Sequence, residues 1–208
     1  MYRRHFIRST LLALAGGALS GAALAAEPPT ILVVGDSLSA EYGIARGTGW
    51  VALLEKKLAA EKIAAKVINA SISGDTTAGG RARLPRLLEQ HQPSLVVIEL
   101  GGNDALRGLA PAQVRGNLEK MVVLAGDAGA KVLLLGIDVP PNYGPAYRQR
   151  LRQVYADLAR QHGVALVPFF LEGVALQPGL MQSDGLHPTA AAQPRLLENA
   201  WPLLEPLL

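Results

Sequence analysis

The sequence predicts a doubly wound α/β fold, in which a single, mainly parallel five-stranded sheet carries helices on both faces, as in flavodoxin-like proteins. Three observations lead to this prediction. Five short runs of valine, isoleucine and leucine recur without polar alternation, the stretches between them have helical periodicity, and polar or glycine-rich segments follow the runs. Near-continuous apolar runs are typical of parallel strands covered on both faces, and parallel strands need crossover connections.

The predicted strands and helices alternate along the chain. The strands cover residues 31–34, 66–68, 95–100, 132–137 and 164–167. The helices are indicated by apolar side chains at spacings of three and four, which share a face. These faces combine Trp50, Leu53, Leu54 and Leu58, then Val114, Leu118, Met121 and Ala125, then Leu151, Val154, Tyr155 and Leu158. We expect all three faces to pack in the core.

Residues 1–25 have the three-part pattern of a secretory signal peptide. Arg3, Arg4 and Arg8 accompany the start of an apolar run of about 17 residues, and small residues surround a cleavage site near Ala25 or Ala26. The arginine pair also resembles a twin-arginine signal. An uncleaved anchor is the alternative, but a spanning helix needs about 20 residues. We therefore predict a periplasmic or secreted protein, with one domain over residues 26–208 and no stable membrane anchor after cleavage.

Composition excludes several classes of function. The chain has 208 residues, of which 50% are hydrophobic, and it has no cysteine, so disulfides, cysteine nucleophiles and thiolate metal sites are excluded. The net charge of +3 comes from the leader, which holds three of the 20 basic residues and no acidic one. The remaining 17 basic residues balance 17 acidic residues. Nucleic acid is therefore not expected as a partner.

Polar and glycine-rich segments are expected to converge on one edge of the sheet. They lie at 35–39, 71–75, 101–104 and 138–147, each after a predicted strand, and at 183–188 near the end of the chain. In open α/β sheets, ligands bind beyond the carboxyl ends of the strands. The sequence therefore predicts a single functional site at this edge.

His187 is the candidate general base. It lies in a loop bounded by glycine and proline, and Asp184 is three residues upstream, near enough for its carboxylate to reach the imidazole Nδ1. His91 and His162 are expected at helix C-termini, where a cation interacts favourably with the helix dipole. For Asp184 and His187, the alternative is a solvated turn that caps the next helix.

Ser37 is the candidate nucleophile. It follows the first predicted strand in a Gly35-Asp36-Ser37 turn that is expected to open a helical segment, where unpaired amides can activate a hydroxyl and bind an anion. The alternative is that Ser37 or Asp36 is an ordinary N-cap. Candidate donors to an oxyanion are the Ser37 N–H, the Gly74 N–H and the Asn103 side chain.

Four segments resemble the signature blocks of the SGNH (GDSL-type) hydrolase family. They are Gly35-Asp36-Ser37-Leu38-Ser39, Gly74, Gly101-Gly102-Asn103-Asp104 and Asp184-Gly185-Leu186-His187-Pro188. The stretches 69–76 and 99–108 are similar to the periplasmic multifunctional esterases of the thioesterase I, lysophospholipase and arylesterase type. The resemblance spans essentially the whole chain after the leader. It implies the SGNH hydrolase fold, with Ser37 as nucleophile, His187 as base, Asp184 as the acid that orients it, and Ser37, Gly74 and Asn103 as oxyanion donors.

Two positions near Ser37 depart from familiar patterns. Glu41 stands where relatives often carry a small residue, and it could alter substrate preference. Position 39 is serine rather than glycine, so the segment is not a Gly-x-Ser-x-Gly nucleophile elbow.

The residues and the resemblance together predict a serine esterase that acts through an acyl-enzyme, with no cofactor and no metal. The expected substrates are fatty-acyl or aryl esters, including lysophospholipids and thioesters. Leu106, Gly108, Leu109 and Tyr143 flank the predicted site and are candidates for holding an acyl chain. An exported enzyme would rarely meet acyl-CoA, because that thioester is cytoplasmic.

Three alternatives stay open at this point. The protein could be a carbohydrate O-acetyl esterase of the same family. It could be a flavodoxin-like binding module without catalysis, although it lacks a P-loop and a Gly-x-Gly-x-x-Gly motif. It could also be a metal hydrolase that uses Asp36, Asp184 and His187.

Overall fold

A computed structural model describes residues 28–208, so the predicted signal peptide at 1–25 lies outside the described residues. At its centre is one five-stranded sheet in the order β2-β1-β3-β4-β5, and every pair of neighbouring strands is parallel. The strands are β1 (Thr30–Gly35), β2 (Lys66–Asn69), β3 (Leu95–Glu99), β4 (Lys131–Leu135) and β5 (Ala165–Val167). The predicted fold class is confirmed.

Six α-helices in the described part of the chain connect and cover the strands. They are α1 (Trp50–Ala60), α2 (Thr77–His91), α3 (Gly102–Leu106), α4 (Pro111–Asp127), α5 (Pro145–His162) and α6 (Gln193–Leu204). Helices α1 and α6 pack together on one face, while α2, α4 and α5 form a layer on the other. The predicted apolar faces lie in the core, with only Leu53 partly exposed.

Strands β3 and β4 end earlier than the sequence predicts. The predictions extended to residues 100 and 137, but β3 ends at Glu99 and β4 at Leu135. Leu100 and Ile137 are buried like strand residues, so apolar content alone does not distinguish them. What ends β3 is the backbone at Gly101, whose φ of 125° is unfavourable for other residues and turns the chain into α3.

Within residues 28–208, no helix is long and apolar enough to cross a membrane.

Candidate active site

The loops after β1, β2 and β3 meet at the carboxyl edge of the sheet, as the sequence predicts. Ser37 comes two residues after β1, Gly74 lies between β2 and α2, and Asn103 lies in the first turn of α3. The loop that holds His187 lies against Ser37, although 150 positions separate these two residues. Parallel strands bring these segments together because all of them end at the same edge.

Ser37, His187 and Asp184 form a continuous chain of hydrogen bonds. His187 Nε2 lies 2.9 Å from Ser37 Oγ, and His187 Nδ1 lies 2.6 Å from Asp184 Oδ2. A neutral imidazole with its proton on Nδ1 donates to Asp184 and accepts from the Ser37 hydroxyl. This arrangement allows the imidazole to remove the hydroxyl proton.

Asp184 is held in its ionised form by donors from its own loop. Burial acts to raise the pKa of Asp184, but hydrogen bonds from the His187 ring and from the His187 and Leu186 amides lower it to about 2. The two amides donate to Asp184 Oδ1 at 3.0 and 2.9 Å, which leaves Oδ2 for the imidazole. The carboxylate can therefore fix the tautomer and orientation of His187 across the neutral pH range.

The loop that carries His187 is closed and anchored by residues that sequence reasoning missed. An antiparallel bridge joins Met181 to Pro188, and the Gln182 N–H donates to the His187 carbonyl at 2.8 Å. The Gln182 side chain donates to the Tyr42 carbonyl at 2.9 Å, and the Tyr42 ring packs on the His187 ring at 4.4 Å between centroids. No local pattern could have revealed the two contacts with Tyr42, because they join distant parts of the chain.

The helical segment predicted after Ser37 is wrong. Residues 37–43 form successive turns, and the next helix after them is α1. The Ala40 N–H donates to the Asp36 carbonyl at 3.0 Å, but Glu41 then adopts a left-handed φ of 59°, which ends any helical continuation. Asp36 does act as a local cap, because its Oδ1 accepts the Leu38 N–H at 3.1 Å.

The three candidate oxyanion donors differ in how they are held. Neither the Ser37 N–H nor the Gly74 N–H donates to a backbone carbonyl within residues 28–208. Gly74 has a φ of 79°, and an added Cβ would meet nothing within 4 Å, so it is the backbone conformation that favours glycine. Asn103 Nδ2 donates one hydrogen to Asp36 Oδ2 at 3.0 Å, which leaves its second hydrogen available.

Two further residues hold the Gly74 loop against α3. Asp104 is fully buried and accepts from the Thr77 N–H at 2.9 Å and from the Thr77 hydroxyl at 2.5 Å. The Arg107 guanidinium donates to the Gly74 carbonyl at 2.9 Å. These bonds join the segment 74–77 to α3, the helix that carries Asn103. Neither Asp104 nor Arg107 belongs to the hydrogen-bond chain of Ser37.

A mainly apolar cavity of about 240 Å³ opens beside Ser37 and His187. Its apolar wall includes Leu106, Ile137, Val139, Phe169, Leu171 and Met181.

Of the four residues predicted to bind substrate, only Leu106 lines this cavity. Gly108, Leu109 and Tyr143 lie outside its wall, and the Tyr143 hydroxyl donates to the Leu106 carbonyl at 3.4 Å. The segments after β4 and β5 supply most of the wall. The sequence predicted 138–147 and 183–188 at the site, but not the stretch 169–181 that contributes Phe169, Leu171 and Met181.

Glu41 stabilises the loop before α1 rather than facing the cavity. Its carboxylate accepts the Gly47 N–H at 2.9 Å and the Gly49 N–H at 2.8 Å, and Glu41 is not among the residues that line the cavity. The departure noted in the sequence thus has a structural role in this chain.

Two acids near Ser37 are buried without a basic partner in the described residues. Asp36 is 2% exposed, Glu99 is fully buried, and neither forms an ion pair within the described residues. Burial raises the pKa of Asp36 to about 6, against the lowering effect of hydrogen bonds from Leu38 and Asn103. Burial, together with the nearby Asp36 charge, raises the pKa of Glu99 well above its ordinary value.

No cluster of three or more His, Cys, Asp or Glu side chains in residues 28–208 is arranged to hold a metal ion.

The sequence and the structure both match known ester hydrolases. The profile of the GDSL-like Lipase/Acylhydrolase family matches residues 33–194. Esterase TesA of Pseudomonas aeruginosa is 62% identical over 183 residues, which cover 88% of this chain and 91% of that protein. Thioesterase 1/protease 1/lysophospholipase L1 of Escherichia coli K12 is 45% identical over 184 residues, which cover 88% of this chain and 87% of the relative.

A solved structure with the same fold is that of the psychrotrophic esterase EstA from Pseudoalteromonas sp., inhibited by monoethylphosphonate. It superposes with a TM-score of 0.81 at 41% sequence identity, and the match covers 85% of this chain and 97% of EstA.

Proposed function

The chain belongs to the GDSL-like lipase/acylhydrolase family and is an ester hydrolase, and from this premise we propose that it cleaves fatty-acyl and aryl esters through an acyl-enzyme on Ser37. The observation that carries the proposal is the hydrogen-bond chain from Ser37 Oγ through His187 to Asp184, with distances of 2.9 and 2.6 Å. The alternative hypothesis of a flavodoxin-like binding module without catalysis is wrong, because the chain belongs to a family of ester hydrolases.

In the first step, Ser37 Oγ attacks the acyl carbonyl carbon while its proton passes to His187 Nε2. The π electrons of the carbonyl move to its oxygen, and the resulting anion accepts hydrogen bonds from the Ser37 N–H, the Gly74 N–H and the Asn103 side chain. The imidazolium that forms is stabilised by Asp184 at Nδ1. The tetrahedral intermediate then collapses, and the leaving alkoxide or thiolate takes the proton from Nε2.

In the second step, water replaces the alcohol or thiol at the same position. His187 Nε2 accepts a proton from the water as its oxygen attacks the acyl-enzyme carbonyl. Collapse of the second tetrahedral intermediate breaks the bond to Ser37 Oγ, which recovers its proton from His187. The products are a carboxylic acid and the free enzyme, so protons balance over the cycle and no cofactor is required.

The walls of the cavity support an apolar acyl or aryl group as the preferred substrate. Most side chains that line it are hydrocarbon, and Leu176, which is 73% exposed, extends this surface to the mouth. Transfer of a long acyl group from water to such a surface is favourable, and more so the longer the chain. We infer that lysophospholipids and other fatty or aryl esters are the working substrates, and that a small-molecule ester is the partner of this site.

We also infer that the protein is exported and that residues 26–208 form one hydrolase domain. The support is the pattern of the first 25 residues, with its basic start, apolar run and small residues near Ala25. A periplasmic or secreted location favours lipid and aryl esters over acyl-CoA as substrates. Mass spectrometry of the N-terminus of the exported protein would test the cleavage site.

Labelling with a fluorophosphonate tests the nucleophile directly. We expect one adduct per chain on Ser37, no adduct in Ser37→Ala, and full labelling in the matched control Ser94→Ala, since Ser94 lies at the opposite end of the sheet, where it donates to the Thr30 carbonyl. Peptide mapping locates the adduct. Labelling of another serine, or equal ester turnover in Ser37→Ala, would overturn the assignment.

A series of esters of increasing acyl length tests the substrate class. We expect kcat/KM to rise from acetyl towards longer acyl groups, and lysophospholipid to be cleaved. The variant Leu176→Asp should lower kcat/KM for the long esters while leaving the acetyl ester nearly unchanged, because only the long chains reach the mouth. A strong acetyl preference would instead indicate the carbohydrate O-acetyl esterase alternative.

A further inference from the structure

Asp36 and Glu99 are two buried titratable groups near the site that the proposed mechanism does not use. Glu99 ends β3, at the centre of the sheet, and pairs in register with Gly35 at the end of β1. A Cβ on Gly35 would lie only 2.8 Å from Glu99 Oε2, so glycine leaves the space that the carboxyl occupies. Asp36 lines the cavity next to Ser37, and Glu99 contacts the Asp36 N–H and the Ser39 hydroxyl without lining the cavity itself.

The contacts of Glu99 show which of its oxygens acts as the acceptor. Ser39 Oγ lies 2.8 Å from Glu99 Oε2 and accepts the Trp50 indole N–H at 3.0 Å, so its own hydrogen is donated to Glu99. Glu99 Oε2 also accepts the Asp36 N–H at 3.3 Å. Glu99 Oε1 is buried and has no hydrogen-bond partner within the described residues, which makes it the oxygen that can carry a proton.

Asp36 has the contacts of an ionised carboxylate. Its Oδ1 accepts the Leu38 N–H and its Oδ2 accepts Asn103 Nδ2, so both oxygens act as acceptors. Two adjacent buried carboxylates without a cation would be very unfavourable, and such pairs retain one proton between them. The raised pKa of each acid agrees with this assignment, with Glu99 protonated and Asp36 ionised at neutral pH.

We propose that Asp36 is a positioning residue that fixes which way the Asn103 amide faces, and that Glu99 holds the proton which allows Asp36 to remain a carboxylate. The proposal rests on the proposed function, in which Asn103 is an oxyanion donor. A carboxylate can only accept, so it requires Nδ2 rather than Oδ1 of Asn103 to face it. Because the amide is planar, this bond also sets the direction of the second Nδ2 hydrogen.

The consequence for catalysis follows from the shape of the amide. If Asp36 is replaced by asparagine, its new NH₂ group can donate to Asn103 Oδ1, and the Asn103 amide can turn over. Its carbonyl oxygen, rather than an N–H, would then face the developing oxyanion. Loss of one such donor typically lowers kcat by about 10² to 10³.

A double-mutant cycle tests this coupling. We expect Asp36→Asn to lower kcat at least about tenfold with KM within about threefold, and Asn103→Ala to lower it by about 10² or more. The double variant should lie within about threefold of Asn103→Ala alone, because both changes remove the same donor. The matched control Asp157→Asn changes an aspartate on the surface of α5 and should keep full activity.

The outcomes separate this proposal from the proposed function. If the two losses multiply, or if Asp36→Asn keeps the wild-type kcat, Asp36 does not act through Asn103 and the positioning role is overturned. Fluorophosphonate labelling of Ser37 in each variant reports on the nucleophile independently. Failure to label Ser37 in the wild type would instead overturn the proposed function itself.

A measurement on the Asp36 carboxylate avoids dependence on how its variants fold. In the nuclear magnetic resonance spectrum, the side-chain amide protons of Asn103 are identified by their loss in Asn103→Ala. The groups that face the acid pair include His187 and Tyr155, so the titration is recorded in His187→Ala to remove the imidazole. We expect one Asn103 amide proton to shift over the same pH range in which the Asp36 carboxyl carbon titrates, because the two groups are in direct contact. An Asn103 amide whose shift stays constant while that carbon titrates would overturn the proposal.

Discussion

Replacing Asp36 by asparagine should make the protein more stable at neutral pH although it impairs catalysis. Burial raises the pKa of Asp36 from its ordinary value of 3.8 to about 6, so the folded protein retains a proton that the unfolded chain releases. The stability that this proton contributes is complete below about pH 3.8 and is lost as the pH rises through about 6. The rise in pKa corresponds to about 3 kcal/mol of unfolding free energy, which is present at low pH and has been lost at neutral pH.

The size of the effect is best measured as a change with pH, because any change in the hydrogen bonds with Leu38 and Asn103 contributes nearly the same free energy at every pH. Asparagine does not titrate, so the wild type should lose stability relative to Asp36→Asn by about 2 kcal/mol between about pH 4.5 and 7.5. For a domain of this length, that difference corresponds to about 4–8 °C in Tm.

Thermal unfolding of both proteins at several pH values measures this difference. The Tm of Asp36→Asn minus that of the wild type should increase steadily up to about pH 7 and then level off. Asp157→Asn, whose carboxylate lies on the surface, should run parallel to the wild type. If the Tm difference for Asp36→Asn is the same at low and neutral pH, Asp36 has an ordinary pKa and the reasoning fails.

Three further predictions concern the triad and the loop before α1. Ser37→Ala and His187→Ala should each abolish nearly all ester turnover, and the double variant should be little worse, because the two residues act as one unit. A double variant whose loss of kcat is the product of the two single losses would contradict this. Asp184→Ala should lower kcat less than either change, as steady-state assays with one chromogenic ester can establish. Thermal unfolding should show Glu41→Ala to be less stable than Glu41→Gly by about 1 kcal/mol in unfolding free energy. Both variants lose the bonds to the Gly47 and Gly49 amides, but only alanine keeps the left-handed strain.

The order of strands and helices follows from local hydrophobic patterns in the sequence. Each strand is a short apolar run, and each long helix repeats its apolar residues every three or four positions. Such patterns survive tertiary folding because the same face must be buried whichever neighbour covers it. The exact ends were less predictable, since Leu100 and Ile137 are as buried as strand residues but belong to the loops that follow.

The candidate site was predictable in its residues but not in its supports. Ser37, Asn103 and His187 stand in short motifs, and the convergence of post-strand loops is a general property of parallel sheets. Gln182 and Tyr42, by contrast, hold the His187 loop through contacts between segments about 140 positions apart. A hydrogen bond of this kind leaves no spacing pattern, and neither residue type is specific to such a role.

The sequence by itself therefore determined the fold class, the edge of the sheet that carries the site, and the residues proposed to react, because each depends on local periodicity or on a short motif. Only the tertiary structure decided that Asp36 and Glu99 lie together without a cation and that the loops after β4 and β5 form most of the cavity. The physical reason is that burial, and the proton affinity that follows from it, depends on which distant segments exclude water from a group. No residue carries that information alone.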